Sequence, residues 1–240
     1  MQRYIGRTIH IMQDQKPFIR DIGRIDYDSA YQRQIELQQE VINSRNGPDP
    51  CPGYILLLEH VPPVITISKR PEAKEHLLVD AEFLKEKGIE LAETDRGGDI
   101  TYHGPGQIVV YAILDLNRLG LNLRSYMRWL EQIVIDVLED FGIAAERDQC
   151  ATGVWVGSEP AAKICAMGVR VSRWVSMHGL ALNVEPDLTH FQLIVPCGLS
   201  GRPVTCMKML LGSRCPDISQ VKKALADQFL KAVEITLNKQ

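Results

Sequence analysis

Residues 96–107 read RGGDITYHGPGQ, in which four glycines and a proline surround a threonine, a tyrosine and a histidine. Glycine lacks the Cβ atom that keeps a main chain away from a ligand, and it tolerates positive φ. The stretch therefore predicts a tight loop that lies against a bound molecule. It is not a common nucleotide motif, because it has neither GxGxxG before a helix nor the GK[ST] end of a phosphate-binding loop.

The whole chain has the composition of an ordinary globular protein. Its 240 residues, 45% of them hydrophobic, suit one domain, and we expect that domain to span residues 1–240. Lys and Arg number 27 against 30 Asp and Glu, a net charge of -3 that argues against a nucleic-acid partner. Because no apolar run reaches about 20 residues and the N-terminus lacks a secretory signal, we expect a cytoplasmic protein with no membrane partner.

The six cysteines show neither a CxxC pair nor a zinc-type spacing. A chain of this length does not need disulfides, so we expect reduced thiols and no metal site. A reactive cysteine must then be argued from its surroundings.

Hydrophobic periodicity predicts a fold with helices on an antiparallel sheet. Helices are expected over residues 27–44 and 80–88, and from Ser125 and Asp217 onward. Short apolar runs predict strands, with residues 54–60 and 64–68 as neighbours across a proline turn, and with 152–157, 163–171 and 174–184 as adjacent antiparallel strands. The apolar run 108–116 predicts a further strand, covered either on both faces or on one face and at its ends. The fold class expected is α+β, a single domain with a mostly antiparallel sheet flanked by helices.

Two further stretches place polar groups among apolar residues. Residues 163–183 read KICAMGVRVSRWVSMHGLALN, and residues 191–201 read FQLIVPCGLSG with Cys197 between a proline and a glycine. With residues 96–107, the motifs K-I-x-A-x-G, W-x-S-x-H-G-L-A-L-N and P-C-G closely resemble the lipoyl(octanoyl) transferases. The resemblance runs from about Gly23 to the last helix, and three motifs in the same order make it specific.

This resemblance implies an acyltransferase that starts endogenous protein lipoylation. Such an enzyme moves an octanoyl group from octanoyl-acyl carrier protein to a lysine of a lipoyl domain, without ATP and without a cofactor. The implied acceptors are the lipoyl domains of 2-oxoacid dehydrogenase complexes and the glycine cleavage H protein. The implied fold is that of the biotin and lipoate protein ligases, which are related to class II aminoacyl-tRNA synthetases.

The resemblance also assigns site residues. The acyl-accepting cysteine falls on Cys197 and the lysine that supports it on Lys163. The acyl-pocket residues fall on Arg96, Gly97, Gly98, Asp99, Ile100, Thr101, Tyr102, His103, Ala166, Met167, Gly168, Gly179, Leu180 and Ala181. We expect His103 and His178 to shape this pocket and to donate toward the thioester carbonyl.

The implied chemistry is reasonable for these residue types. Acyl exchange between two thiols is nearly isoenergetic, and the new thioester remains activated toward an amine. A cysteine with a pKa near ~8.5 is only a few per cent ionised at neutral pH, and a nearby ammonium such as that of Lys163 raises this fraction. The same lysine can carry the proton to the departing thiolate.

Other functional classes remain open at this point. An ATP-dependent lipoate- or biotin-protein ligase shares the fold and the lysine but has no need of Cys197. A cysteine hydrolase and a non-catalytic acyl-carrier-binding module are the remaining alternatives. The chain also departs from the family pattern at Ser68, in TISKR, and at Cys165, which places a second thiol two residues after Lys163.

Overall fold

A computed structural model describes residues 16–195 and 202–239, which form two β-sheets and flanking helices. The strands are β1 Phe18–Ile25, β2 Tyr54–His60, β3 Val64–Ser68, β4 Glu90–Thr94, β5 Ile100–His103, β6 Gln107–Ile113, β7 Ala145–Arg147, β8 Val154–Val156, β9 Ala162–Ser172 and β10 Val175–Asn183. The α-helices are α1 Tyr27–Ser44, α2 Ala81–Glu86, α3 Leu123–Asp140, α4 Met207–Leu211 and α5 Ile218–Leu237. Among the described residues, no helix has both the length and the apolar character needed to cross a membrane.

The larger sheet has seven strands in the order β1-β2-β6-β10-β9-β8-β7. Only β1 and β2 run parallel in it, so the prediction of a mostly antiparallel sheet flanked by helices is confirmed. The predicted antiparallel neighbours β8, β9 and β10 are also confirmed. The smaller sheet has the order β4-β3-β5, in which β3 pairs parallel with β4 and antiparallel with β5.

The larger sheet is covered on both faces, which explains its continuous apolar strands. Along β6, Ile108 and Val110 belong to the core cluster that contains α3 and α5 residues, whereas Val109 and Tyr111 belong to the cluster on the α1 side. Every residue of β6 is buried. Since a strand points successive side chains to opposite faces, a two-sided core needs apolar residues at every position.

Side-chain caps set the ends of the long helices. The Asp26 carboxylate accepts from the Ser29 amide at the start of α1, whose bounds match the prediction. Helix α3 begins two residues before the predicted Ser125, because the side chain of Asn122 accepts from the Ser125 amide over 2.9 Å. At α5, the Gln220 side chain accepts from the Asp217 amide, which confirms the predicted cap.

One strand prediction was wrong in its pairing. Strands β2 and β3 were expected to be neighbours, but the turn at Pro62 and Pro63 carries the chain from the larger sheet to the smaller one. Proline supplies no amide to a ladder, so a strand break here leaves β3 free to pair with β4 and β5. Strands β1, β4 and β7 were not predicted, because they carry charged residues where a buried strand would be apolar.

The expectation that residues 96–107 form one loop was also wrong. Residues 95–99 form one loop, β5 follows it directly, and a turn at residues 104–106 leads into β6. All four residues of β5 are buried, with Ile100 and Tyr102 in the core of the smaller sheet. Burial of this β-prone ITYH run outweighs the influence of the glycines on either side.

The packing of α5 predicts a large effect of one substitution. Phe229 is fully buried and lies edge-to-face against Trp129 of α3, with ring centroids 5.8 Å apart. Phe229→Ala should lower the free energy of unfolding by about 3–5 kcal/mol, as measured by urea denaturation. The exposed neighbour Lys231→Ala should change it by less than about 0.5 kcal/mol. Equal effects of the two substitutions would show that α5 is not part of the core.

Candidate active site

A cavity lies between the two sheets, where loop 95–99 and β5 face β6, β9 and β10. Its wall is mostly backbone and apolar side chain, with a few polar groups at one side. The lining residues are Tyr27, Arg96, Gly98, Asp99, Ile100, Thr101, His103, Val109, Tyr111, Ala166, Met167, Gly168, His178, Gly179, Leu180 and Ala181.

Three motifs that are far apart in the sequence meet at this cavity. Twelve of the fourteen residues predicted to line an acyl pocket do line it. Gly97 lies instead in the wall of an adjoining cavity. Tyr102 faces away from both, and its hydroxyl lies 2.9 Å from the Nδ1 atom of His190. Alternation along β5 explains this, since Thr101 and His103 face the cavity and Tyr102 points to the opposite side.

Glycine is required where backbones approach each other at the cavity wall. A Cβ atom on Gly168 would lie 2.5 Å from the carbonyl oxygen of Gly97, and one on Gly179 would clash with the carbonyl oxygen of Val110. The Gly97 amide donates to the Val169 carbonyl over 2.9 Å. Loop 95–99 is therefore held directly on β9, without side chains between the two main chains.

Sequence reasoning missed three lining residues: Tyr27, Val109 and Tyr111. Val109 and Tyr111 lie in the apolar run of β6 and were interpreted only as core. One signal was available, because a tyrosine in an aliphatic strand needs a partner for its hydroxyl. That partner is the Nε2 atom of His60, 2.7 Å away.

His103 is neutral and does not donate into the cavity. Burial holds its pKa well below the usual range for histidine. Its Nδ1 atom lies 2.7 Å from Oε1 of Gln107. The Gln107 amide is oriented by donating to Asn183 Oδ1, and Asn183 in turn donates to the Thr205 carbonyl. The proton is therefore on Nδ1, and Nε2 is an acceptor.

His178 is also a buried, neutral histidine, but its proton is on Nε2. Its Nε2–H donates to Asp95 Oδ1 over 2.9 Å, and burial lowers the pKa of the imidazole. Asp95 Oδ2 accepts from the Tyr31 hydroxyl over 2.8 Å and forms an ion pair with Arg170, also at 2.8 Å. The hydrogen bond from His178, with these partners, lowers the pKa of Asp95 to about 2. The expectation that His103 and His178 donate toward a substrate carbonyl is not supported by either tautomer.

Lys163 lies at the adjoining cavity, which shares Gly98, Asp99, Met167 and Gly168 with the first. The lysine is buried, and its Nζ atom lies 4.6 Å from the ring centroid of Trp155. Its main chain is paired with the segment at residues 203–205, through the Lys163 amide to Pro203 and the Thr205 amide to Lys163. An ammonium group is thus placed beside the apolar cavity, outside its lining.

The comparisons with known proteins agree with this geometry. Residues 30–230 match the lipoyl protein ligase A/B catalytic domain family. The chain belongs to this family. It is 42% identical to an octanoyltransferase of Christiangramia forsetii, over 92% of this chain and 97% of that one. It is 47% identical to an octanoyltransferase of Gloeobacter violaceus, over 87% and 86% of the two chains.

Solved structures of lipoate and biotin protein ligases have the same fold. A bipartite lipoate protein ligase of Thermoplasma acidophilum gives a TM-score of 0.68 at 18% identity, over 92% of this chain and 84% of that one. A biotin protein ligase of Aquifex aeolicus gives 0.55 at 13% identity, over 93% and 73%. The fold expected from the sequence, that of the biotin and lipoate protein ligases, is therefore confirmed.

The acyl-accepting residue expected from the family motif, Cys197, lies outside the described residues. The described residues on either side of its segment are Val195 and Arg202. The Val195 amide donates to the His76 carbonyl. The Nδ1 atom of His76 lies 2.7 Å from Oδ2 of Asp99, but the angles of this contact are not those of a hydrogen bond. Arg202 lies over the ring of Trp155, 3.7 Å from its centroid.

Cys165, the cysteine of the KICAMG motif, is poorly placed to act as a nucleophile. Its side chain is fully buried in the larger sheet. Burial raises the pKa of this thiol far above that of a free cysteine. The thiolate, the nucleophilic form, is therefore scarce at neutral pH. Within residues 16–195 and 202–239, no cluster of His, Cys, Asp and Glu has a metal-binding arrangement.

The buried histidines predict an acid-sensitive fold. Burial lowers the pKa of His60 to about 4, against about 6.5 in the unfolded chain. Between these values the unfolded state binds a proton that the folded state does not, so stability falls as the pH falls, by about 1.4 kcal/mol per pH unit for one such group. His103 and His178 act in the same direction.

His60→Gln should make the dependence of unfolding free energy on pH shallower between pH 6.5 and 4, even if the variant is less stable at pH 8. Urea denaturation at a series of pH values measures this slope. The matched control is His190→Gln, at a partly exposed histidine, which should retain the wild-type slope. Identical slopes in the wild type, His60→Gln and His190→Gln would show that His60 does not contribute to the pH dependence of stability.

Proposed function

We propose that this protein transfers an octanoyl group from acyl carrier protein to a specific lysine of lipoyl domains, through a thioester on Cys197. It is an acyltransferase of protein lipoylation, and we expect residues 1–240 to act as one catalytic domain in the cytoplasm. The acceptors expected are the lipoyl domains of 2-oxoacid dehydrogenase complexes and the glycine cleavage H protein. One observation carries the proposal: the family motifs enclose an apolar cavity with a buried lysine beside it.

The cavity fits an acyl chain because glycines, alanines and other apolar residues form most of its wall, beside the Arg96 guanidinium and the Asp99 carboxyl group. The two histidines in the wall are neutral, and Asp95 lies behind His178 rather than in the lining. Each methylene of an eight-carbon chain that leaves water contributes about 0.8 kcal/mol to binding. The paired alanines Ala166 and Ala181 leave room for the chain.

The first half-reaction forms the acyl-enzyme. The Cys197 thiolate attacks the donor carbonyl, the carbon–sulfur bond to the carrier thiol breaks, and the carrier thiolate takes a proton from Lys163. The ammonium first favours the thiolate and then supplies the proton. In the second half-reaction the acceptor amine attacks the new thioester, Cys197 leaves as a thiolate, and Lys163 accepts the proton of the amine. Protons and bonds balance over the two halves without ATP.

An ATP-dependent lipoate- or biotin-protein ligase is the alternative that the shared fold supports. Such an enzyme activates a free acid, so it should consume octanoate and ATP and tolerate loss of Cys197. Incubation of a lipoyl domain with octanoyl-carrier alone, or with octanoate and ATP, separates the two functions. We expect modification only from octanoyl-carrier. Transfer that depends on ATP would contradict the proposal.

The cysteine and lysine are tested by intact-protein mass spectrometry. Donor alone should add one octanoyl mass as a hydroxylamine-labile adduct, and Cys197→Ser should abolish this adduct and nearly all transfer. Lys163→Arg keeps a charge but does not release a proton at working pH, so transfer should fall at least about 100-fold, the usual range for loss of a general acid–base.

The matched control is Cys150→Ser, which removes an exposed thiol from the wall of the adjoining cavity. This variant should keep the adduct and the transfer rate. A thioester that persists in Cys197→Ser would overturn the assignment of the nucleophile. Full activity of Lys163→Arg would leave Lys163 with an electrostatic role only.

Chain-length selection is tested at Ala166. A larger side chain there should fill part of the cavity, so Ala166→Leu should reduce kcat/KM for an octanoyl donor at least about tenfold more than for a butyryl donor. This position suits the test better than Gly98, where φ is 101° and any side chain is strained. Ser172→Leu, on the same strand outside the cavity lining, is the control and should affect both donors equally. If Ala166→Leu lowers kcat/KM equally for the octanoyl and butyryl donors, the cavity at Ala166 does not select the length of the acyl chain.

A further inference from the structure

A β-bulge brings Lys163 opposite Trp155. Strand β8 pairs with β9 through Val154↔Cys165 and then Trp155↔Lys163, so Ile164 is the extra residue in β9. Without this extra residue Trp155 would lie opposite Ile164, and Lys163 would be displaced to the next pair. Directly opposed residues in an antiparallel pair have side chains on the same face, within contact distance. The bulge therefore orients the lysine toward the indole.

Burial and a hydrogen bond fix the position of the Trp155 indole. Trp155 is almost fully buried, and its Nε1–H donates to the Ala151 carbonyl over 3.2 Å. The turn that contains Ala151 is itself closed by Asp148, whose Oδ1 accepts from the amides of Cys150 and Ala151. A ring fixed in this way can restrict the position of any group that packs on it.

The same ring contacts a second cation. The Arg202 guanidinium lies 3.7 Å from the ring centroid and also donates to Asp148 Oδ2 over 2.7 Å. Arg202 is the first described residue after the segment that contains Cys197. One buried side chain thus contacts the proposed proton carrier and the chain that flanks the proposed nucleophile.

We infer that Trp155 is a positioning residue for acyl transfer: through cation–π contacts it holds the Lys163 ammonium in a fixed position relative to the Arg202 guanidinium. The inference rests on the proposed function. Cation–π attraction is strongest for desolvated pairs, which is the situation of this buried lysine and this buried ring. The role of Trp155 is to keep the Lys163 ammonium where it can supply a proton to the departing carrier thiolate.

Paired substitutions separate the aromatic face from the volume of the side chain. Phe and Leu both remove the Nε1–H and both are smaller than Trp, but only Phe retains a π face. Trp155→Leu should slow single-turnover formation of the acyl-enzyme about 10-fold, a loss within the range of one partly desolvated cation–π contact. Trp155→Phe should stay within about 3-fold of wild type, and neither variant should change the KM for the donor by more than about 2-fold.

A double-mutant cycle tests whether Trp155 acts through Lys163. In a Lys163→Ala background, Trp155→Leu should slow acyl-enzyme formation less than about 2-fold, because the interaction is already absent. The rate of Cys197 alkylation by iodoacetamide, followed by peptide mass mapping, gives the same cycle when acyl transfer is too slow to measure. The remote aromatic change Trp129→Leu, on α3, controls for loss of stability.

The outcomes are distinguishable. The inference is wrong if Trp155→Leu slows acyl-enzyme formation by the same factor in the wild-type and Lys163→Ala backgrounds. It is also wrong if Trp155→Phe is as slow as Trp155→Leu. In either case Trp155 is only structural. If the wild-type protein forms no octanoyl adduct on Cys197, the proposed function fails before the cycle is measured. A fall in thermal stability shared by Trp155→Leu and Trp129→Leu, with slower acylation only in the former, supports the inference.

Discussion

The Gly97 amide donates to the Val169 carbonyl over 2.9 Å, and this backbone hydrogen bond joins the two halves of the cavity. It ties the loop before β5 of the smaller sheet to β9 of the larger one. The approach requires that Gly168 carry no Cβ atom, because that atom would lie 2.5 Å from the Gly97 carbonyl oxygen. Residues from both sides of this contact line the cavity, with Gly98 and Asp99 on the loop and Met167 and Gly168 on β9.

Two buried histidines complete part of the wall without adding charge to it. The chain of amides from Thr205 through Asn183 and Gln107 fixes the proton of His103 on Nδ1. Asp95 fixes that of His178 on Nε2. Each histidine is therefore satisfied by hydrogen bonds while remaining neutral, which removes the cost of burying a charge next to an apolar ligand. The same burial makes the fold sensitive to acid.

Helix and strand bounds were predicted best where the local propensity of a segment agrees with its tertiary packing. Helix α1 and strands β2 and β3 were predicted with the bounds they have, because apolar period and turn residues coincide there. The predicted pairing of β2 with β3 was wrong, because the sheet that a strand joins after a proline turn depends on partner strands elsewhere in the sequence. Residues 100–103 were assigned to a loop, because glycine content obscured a buried strand.

The site could be predicted only in part for similar reasons. Motif residues identified twelve of the fourteen expected lining positions, but no pattern in the sequence reveals that Tyr102 faces away or that Tyr111 faces inward. Those orientations follow from strand register. The β-bulge at Ile164, which sets the direction of Lys163, is likewise invisible in the KICAMG motif. Cys197 stays a prediction.

The division of the site into an apolar cavity and a separate cationic neighbourhood has a chemical reason. A thiol buried in the sheet, as Cys165 is, has a raised pKa and does not ionise at neutral pH. A thiolate nucleophile needs a cation and a polar surrounding, and both would weaken binding of an alkyl chain if they lined the same surface. In the structure Lys163 and Trp155 lie outside the lining of the first cavity, and the two cavities share a wall at Gly98, Asp99, Met167 and Gly168.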